Sequence, residues 1–124
     1  MRYAILCYDS ETAIASWTKA EDDALIARLA AVERKLASEG KLGPNVRLTP
    51  TTTATTLRKA SESLVTDGPF AETKEQLLGF YVVECASLED AIDTARLLAQ
   101  AVTHGTGAYE IRPIATFDPG SFGP

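Results

Sequence analysis

No apolar run in this chain of 124 residues approaches the roughly 18 residues that a membrane-spanning helix needs. Long basic runs are missing as well, and a pair such as Arg58-Lys59 is too short to form a patch. With 17 acidic against 12 basic residues the net charge is −5, which argues against nucleic acid as a partner, because phosphate contacts need clustered Lys and Arg. The sequence has no phosphate loop, no dinucleotide fingerprint and no Gly-x-Ser-x-Gly elbow. It has two cysteines and one histidine. Cys7 and Cys85 each lie in an apolar, strand-like segment with no metal-ligand spacing, so both read as reduced core thiols. No metal and no cofactor is expected. The stretch from Met1 to Asp9 is too short, and too soon broken by acids, for a secretory signal. It reads as a first strand of a cytoplasmic protein.

What remains is an ordinary globular composition, 45% apolar and 23% charged, enough for one domain to bury a core without disulfides. The segment from Tyr3 to Tyr8 is nearly continuous in apolar character, as suits a strand covered on both faces. Thr18-Lys19-Ala20-Glu21 forms a capping box. Behind it Leu25, Leu29, Val32 and Leu36 make one helical stripe, and Gly40 stands where a left-handed C-terminal cap belongs.

From Lys41 to Thr56 the prolines Pro44 and Pro50 and six threonines between Thr49 and Thr56 predict an edge strand or an extended loop. Thr55 to Arg58 and Ser63 to Thr66 look like arms of a hairpin. Gly79 to Cys85 is rich in aromatic and β-branched side chains and predicts a strand. Ser87-Leu88-Glu89-Asp90 opens a second helix with Leu88, Ile92, Ala95, Leu98 and Val102 on its inner stripe. Tyr109 to Arg112 alternates as a last strand. Residues 1–116 therefore read as the domain, and residues 117–124, with two glycines and two prolines, as a flexible tail.

Two helices can cover only one face of such a sheet. Yet the strands are apolar on both sides, which predicts a second subunit over the other face and hence a homodimer. The fold class is α+β: an antiparallel sheet with two helices on one side and an extra hairpin. The first strand and the strand carrying Cys85 are expected to run parallel as neighbours, close enough to bring Cys7 and Cys85 near each other without a disulfide.

The run Asp67-Gly68-Pro69-Phe70-Ala71-Glu72-Thr73-Lys74-Glu75-Gln76 resembles the DGPF group of the YCII-related proteins. Tyr3 to Tyr8, Leu64 to Asp67, Gly79 to Val83 and Glu110 to Ile114 extend the likeness over about Arg2 to Ile114. The resemblance implies a ferredoxin-like βαββαβ subunit that pairs into a dimeric α+β barrel. It also implies a His–Asp pair, with Asp67 as the aspartate, in small enzymes whose folds are similar to muconolactone isomerases. The helix that starts at Lys19 holds no histidine, and the chain's only one, His104, follows the second helix.

Two readings stand beside each other at every candidate. Asp67 can cap the turn at Gly68-Pro69 through a backbone amide of Phe70 or Ala71, or serve as a base or ligand anchor at a cleft between the sheet and a partner. Thr73 to Gln76 reads as a second capping box and one helical turn. There Lys74 is a solvated corner charge or the holder of an anionic group. His104 is a helix C-terminal histidine favoured by the dipole or a proton shuttle, imidazole being the side chain that ordinarily titrates near neutral pH. Arg112 is a strand-pairing charge or a carboxylate anchor. Tyr8 and Asp9 end the first strand where folds of this kind place pocket residues, or simply form a strand-end turn. Tyr81 is a further candidate ligand contact.

The expectation is a small dimer that binds a small organic acid and acts as a cofactor-free isomerase or lyase. The alternative is a ligand-sensing or interaction module accessory to a transcriptional regulator, since DGPF-group proteins resemble accessory proteins of alternative sigma factors.

Overall fold

A computed structural model describes residues 1–122. The chain forms β1 (Arg2–Asp9), α1 (Glu11–Ala15), α2 (Lys19–Ser38), β2 (Leu42–Arg47), β3 (Thr55–Arg58), β4 (Leu64–Asp67), β5 (Gln76–Glu84), α3 (Leu88–Gln100) and β6 (Ala108–Pro113), with one 3-10 turn at Thr51–Thr53. β2, β5, β1 and β6 lie in that order in one sheet, and β3 and β4 form a separate two-stranded ribbon. Every pairing is antiparallel. The order is consistent with a ferredoxin-like α+β fold carrying an inserted hairpin.

Local chemistry explains the element ends. Thr18 and Glu21 satisfy each other's backbone amides at the start of α2, as a capping box does. Gly40 closes that helix with φ of 71°, a value open to glycine at little cost. Ser87 accepts the Asp90 amide at the start of α3. The proline-containing segment after α2 becomes β2, an edge strand paired only with β5, where a missing amide on the outer side breaks no ladder bond.

Alternation along the strands separates two faces. Tyr3 and Ile5 of β1 face Val83 and Tyr81 of β5 in register. These four residues, with Leu36 of α2 and Ala91, Ala95 and Leu98 of α3, form the buried core. The other face presents Ala4 and Leu6 opposite Val82 and Phe80, all only half-buried. Both long helices thus cover a single face, as two helices must.

Two expectations are corrected, and one element is new. β1 and β5 are antiparallel, not parallel, so Cys7 pairs opposite Gly79 while Cys85 lies past Glu84, the partner of Arg2; the two thiols sit at opposite ends and both are free. Residues 73–75 do not form a helical turn. The Thr73 hydroxyl donates to the Glu75 carbonyl at 2.6 Å and Gln76 already begins β5. Finally, the short helix α1, capped by the Ser10 hydroxyl, was not foreseen. Of the predicted tail, Phe117 stacks under the Arg2 guanidinium at 4.6 Å; residues 123–124 of that segment lie outside the described residues.

Candidate functional site

Asp9 ends β1 and is 4% exposed, one of only two buried polar residues among those described. The register with β5 shifts between Cys7 and Tyr8, where β5 carries one extra residue, Leu78, as at a bulge. Asp9 is fully engaged there. Its Oδ1 accepts the Ser10 amide at 2.8 Å and the Thr106 hydroxyl at 3.0 Å. Its Oδ2 lies 2.5 Å from Nε2 of His104.

The loop after α3 supplies the histidine. Arg28 on α2 donates its Nε hydrogen to the Ala101 carbonyl at 2.8 Å, which ties the end of α3 to α2 and fixes where the loop departs. Gly107, with φ of 86°, brings the returning chain against Asp9. A Cβ there would sit 2.5 Å from the Tyr8 carbonyl oxygen and 2.8 Å from Asp9 Oδ2. On the other side of the imidazole, Trp17 stacks edge-on with ring centroids 4.5 Å apart. His104 Nδ1 has no partner among the described residues.

The pair opens onto a cavity of about 570 Å³ between the inner face of the sheet and the helices, within the usual range for small-molecule sites. Cys7, Gly79, Tyr81 and Tyr109 form its floor, Leu25, Ile26, Leu29 and Glu33 of α2 its roof, and Ile14 and Trp17 one end. Burial raises the Asp9 carboxyl, but the bonds from His104, Ser10 and Thr106 and the histidine's charge outweigh it and hold the group below its ordinary 3.8. Desolvation pushes the Cys7 thiol up to about 12, so it is neither a thiolate nor a nucleophile. Burial does the same to Tyr109, to about 12. Tyr81 is raised by burial and by its bond to Glu33, whose Oε2 accepts the phenol hydrogen at 2.7 Å.

Of the residues singled out from sequence, the cavity gathers Tyr8, Asp9, Tyr81 and His104. Asp67 is elsewhere. It ends the exposed ribbon strand β4 opposite Thr55, its carboxylate accepts no hydrogen bond among the described residues, and the histidine's partner is Asp9. The turn that follows Asp67 is held by other atoms: the Gly68 amide donates to Ala54 at 2.7 Å, and Thr56 and Arg58 donate to the carbonyls of Gly68 and Phe70. A smaller space of about 270 Å³ lies beside this turn, lined by Thr51, Gly68, Glu72 and Gln76 among others, but not by Asp67 or Lys74. Arg112 is exposed on β6 opposite Ala4, on the face away from the cavity. The cavity within this chain lies between sheet and helices.

Sequence reasoning passed over Trp17, Glu33, Thr106 and Gly107. For Glu33 a signal existed: it continues the Leu25-Leu29 spacing of four, which puts a carboxylate on the buried side of α2. For Gly107 the spacing Gly105-x-Gly107 marks a loop in special backbone conformations.

The chain is thus an α+β domain with a histidine–carboxylate pair lining an internal cavity. A model of the YCII-related domain matches residues 1–118, and the chain belongs to the YCII-related family. It is also 55% identical, over 97% of both chains, to an uncharacterised protein of Rhizobium meliloti (strain 1021). No helix is long and apolar enough to cross a membrane among the described residues.

Proposed function

We propose that this protein binds a small organic molecule in the cavity beneath α2 and that His104 exchanges a proton with it, in the manner of a cofactor-free isomerase or lyase. The observation that carries this reading is the buried Asp9 carboxylate bonded to Nε2 of His104. Such a carboxylate fixes the tautomer and orientation of the ring and stabilises the imidazolium formed when the other nitrogen takes a proton. Nδ1 is left as the exchanging atom. The mostly apolar lining strengthens the interaction between the pair and any charge that develops on the ligand.

A cavity this open favours the ligand-binding reading over an accessory module whose interior is filled by its own side chains. We also propose that a second copy covers the sheet face bearing Leu6, Phe80 and Val82, since apolar strand faces of this size are normally covered.

The test is proton exchange in deuterated water. A panel of cyclic ketones, lactones and enols is incubated with the protein, and deuterium incorporation next to the carbonyl is followed by NMR. Incorporation that vanishes in His104→Gln, with the fold intact by circular dichroism, is the expected result. Incorporation that survives in His104→Gln, or none with any compound, overturns the reading.

A further inference from the structure

The charges around the cavity are lopsided. Among the described residues, only two of the side chains that line it can carry a positive charge, Arg47 and His104, and each already has an acid. Arg47 Nη2 is 2.9 Å from Asp22 Oδ1, with more than half of its side chain in solvent. A protonated His104 is balanced by Asp9. Glu33 is different: it makes no ion pair among the described residues, and only its Oε2 is engaged, by Tyr81. The remaining wall is mostly apolar, from Ile14 and Trp17 to Leu29 and Val102.

Resting on the proposed use of this cavity, we infer that it selects an uncharged, largely apolar ring compound bearing a hydroxyl, held by donation to the free Oε1 of Glu33, and excludes the carboxylates that the sequence suggested. A carboxylate entering here would give up its hydration without gaining a cation, and it would face the Glu33 and Asp9 oxygens. A hydroxyl loses less on desolvation and regains a hydrogen bond to a charged acceptor. Glu33 and Tyr81 thereby set specificity, while the His104–Asp9 pair provides the reactive end.

Two probes that share one naphthalene ring decide it: 2-naphthol, neutral at neutral pH, and 2-naphthoate, which is charged. Titration calorimetry of the wild-type protein should show naphthol binding at least about tenfold tighter than naphthoate. Glu33→Leu should remove most of that preference. Glu33→Gln, which preserves an acceptor for Tyr81, covers the case in which the leucine variant fails to fold, and it should narrow the preference by admitting naphthoate. Naphthoate binding as tightly as naphthol, or an unchanged preference in both folded variants, overturns the inference. So does the failure of naphthol to bind below about 1 mM. The NMR signals of His104 separate the two readings. Naphthoate that binds and shifts them leaves the cavity's function standing and sinks only the polarity claim. Absence of any shift, together with absence of proton exchange, sinks both.

Discussion

Gly107 lies so close to Asp9 that a single methyl group at residue 107 would come within 2.8 Å of the carboxylate oxygen that holds His104. The two residues are far apart in sequence, and the pair of glycines flanking Thr106 is what lets the β6 end of the loop return against the end of β1. Geometry at the candidate site is thus set by the absence of a side chain.

That contact makes Gly107→Ala informative beside a control. Gly105 also has positive φ, 71°, but open space around it. Gly105→Ala should cost roughly 1–2 kcal/mol from backbone strain alone. Gly107→Ala should lose a further 1–3 kcal/mol, roughly, from the clash, and should shift the His104 ring signals in the NMR spectrum. Equal costs for the two variants, read from urea denaturation, would show that the close approach does not matter.

Asp9 predicts a pH dependence with a definite sign. Its carboxyl is held below its ordinary value in the folded protein, so its contribution is complete above the unfolded value of about 3.9. That contribution disappears as pH falls through the folded value. Denaturation midpoints should therefore fall steeply below about pH 4. In Asp9→Asn the fall should be shallower but still present, because Glu84 beside the N-terminal amine and Asp90 beside Lys41 are lowered too. An identical slope in the variant would remove Asp9 from the account.

Cys7 lines the cavity and looks available for chemistry, yet burial lifts its thiol to about 12. Cys85 is buried and raised as well. Native protein at pH 8 should therefore react with iodoacetamide far more slowly than protein unfolded in guanidinium, by about a hundredfold or more. Fast labelling of one thiol in the native state would contradict this.

Substitution at the family motif and in the core should differ sharply. Leu98 has no exposed surface and packs in the main cluster, so Leu98→Ala should cost about 2–5 kcal/mol. Asp67 is exposed on β4 without a hydrogen bond to its carboxylate, so Asp67→Asn should change stability by less than about 0.5 kcal/mol. It should also leave proton exchange unchanged. A lost activity in Asp67→Asn would return that residue to the site.

Tyr81→Phe removes the one hydrogen-bond donor to Glu33 among the described residues. The loss should be about 1.5–3 kcal/mol, as for a hydrogen bond to a charged group. Thermal melts of Tyr81→Phe, Glu33→Gln and the double variant give the coupling, and additive effects would mean that the two do not act together.

Much of the fold was written locally. The capping box at Thr18 and Glu21, the glycine after α2, the ribbon arms around residues 55–67 and the β-branched run of β5 each depend on neighbours a few residues away. Their positions could be read from periodicity and turn chemistry. The orientation of β5 against β1 could not. It is set by how the helices cross over the sheet, and with it went the supposed approach of Cys7 to Cys85.

The candidate site was less legible for the same reason. A histidine four residues beyond α3 looks like a helix-end residue as long as only the sequence is considered, and the Asp67 motif is conspicuous because its turn is so well made. By itself the sequence determined the α+β class, two long helices, one apolar sheet and the family mark. Only the tertiary structure decided which acid meets His104. The pairing spans 95 residues and follows from the order of strands, the register shift between Cys7 and Tyr8, and the room left by Gly107, none of which is a property of any short stretch of chain.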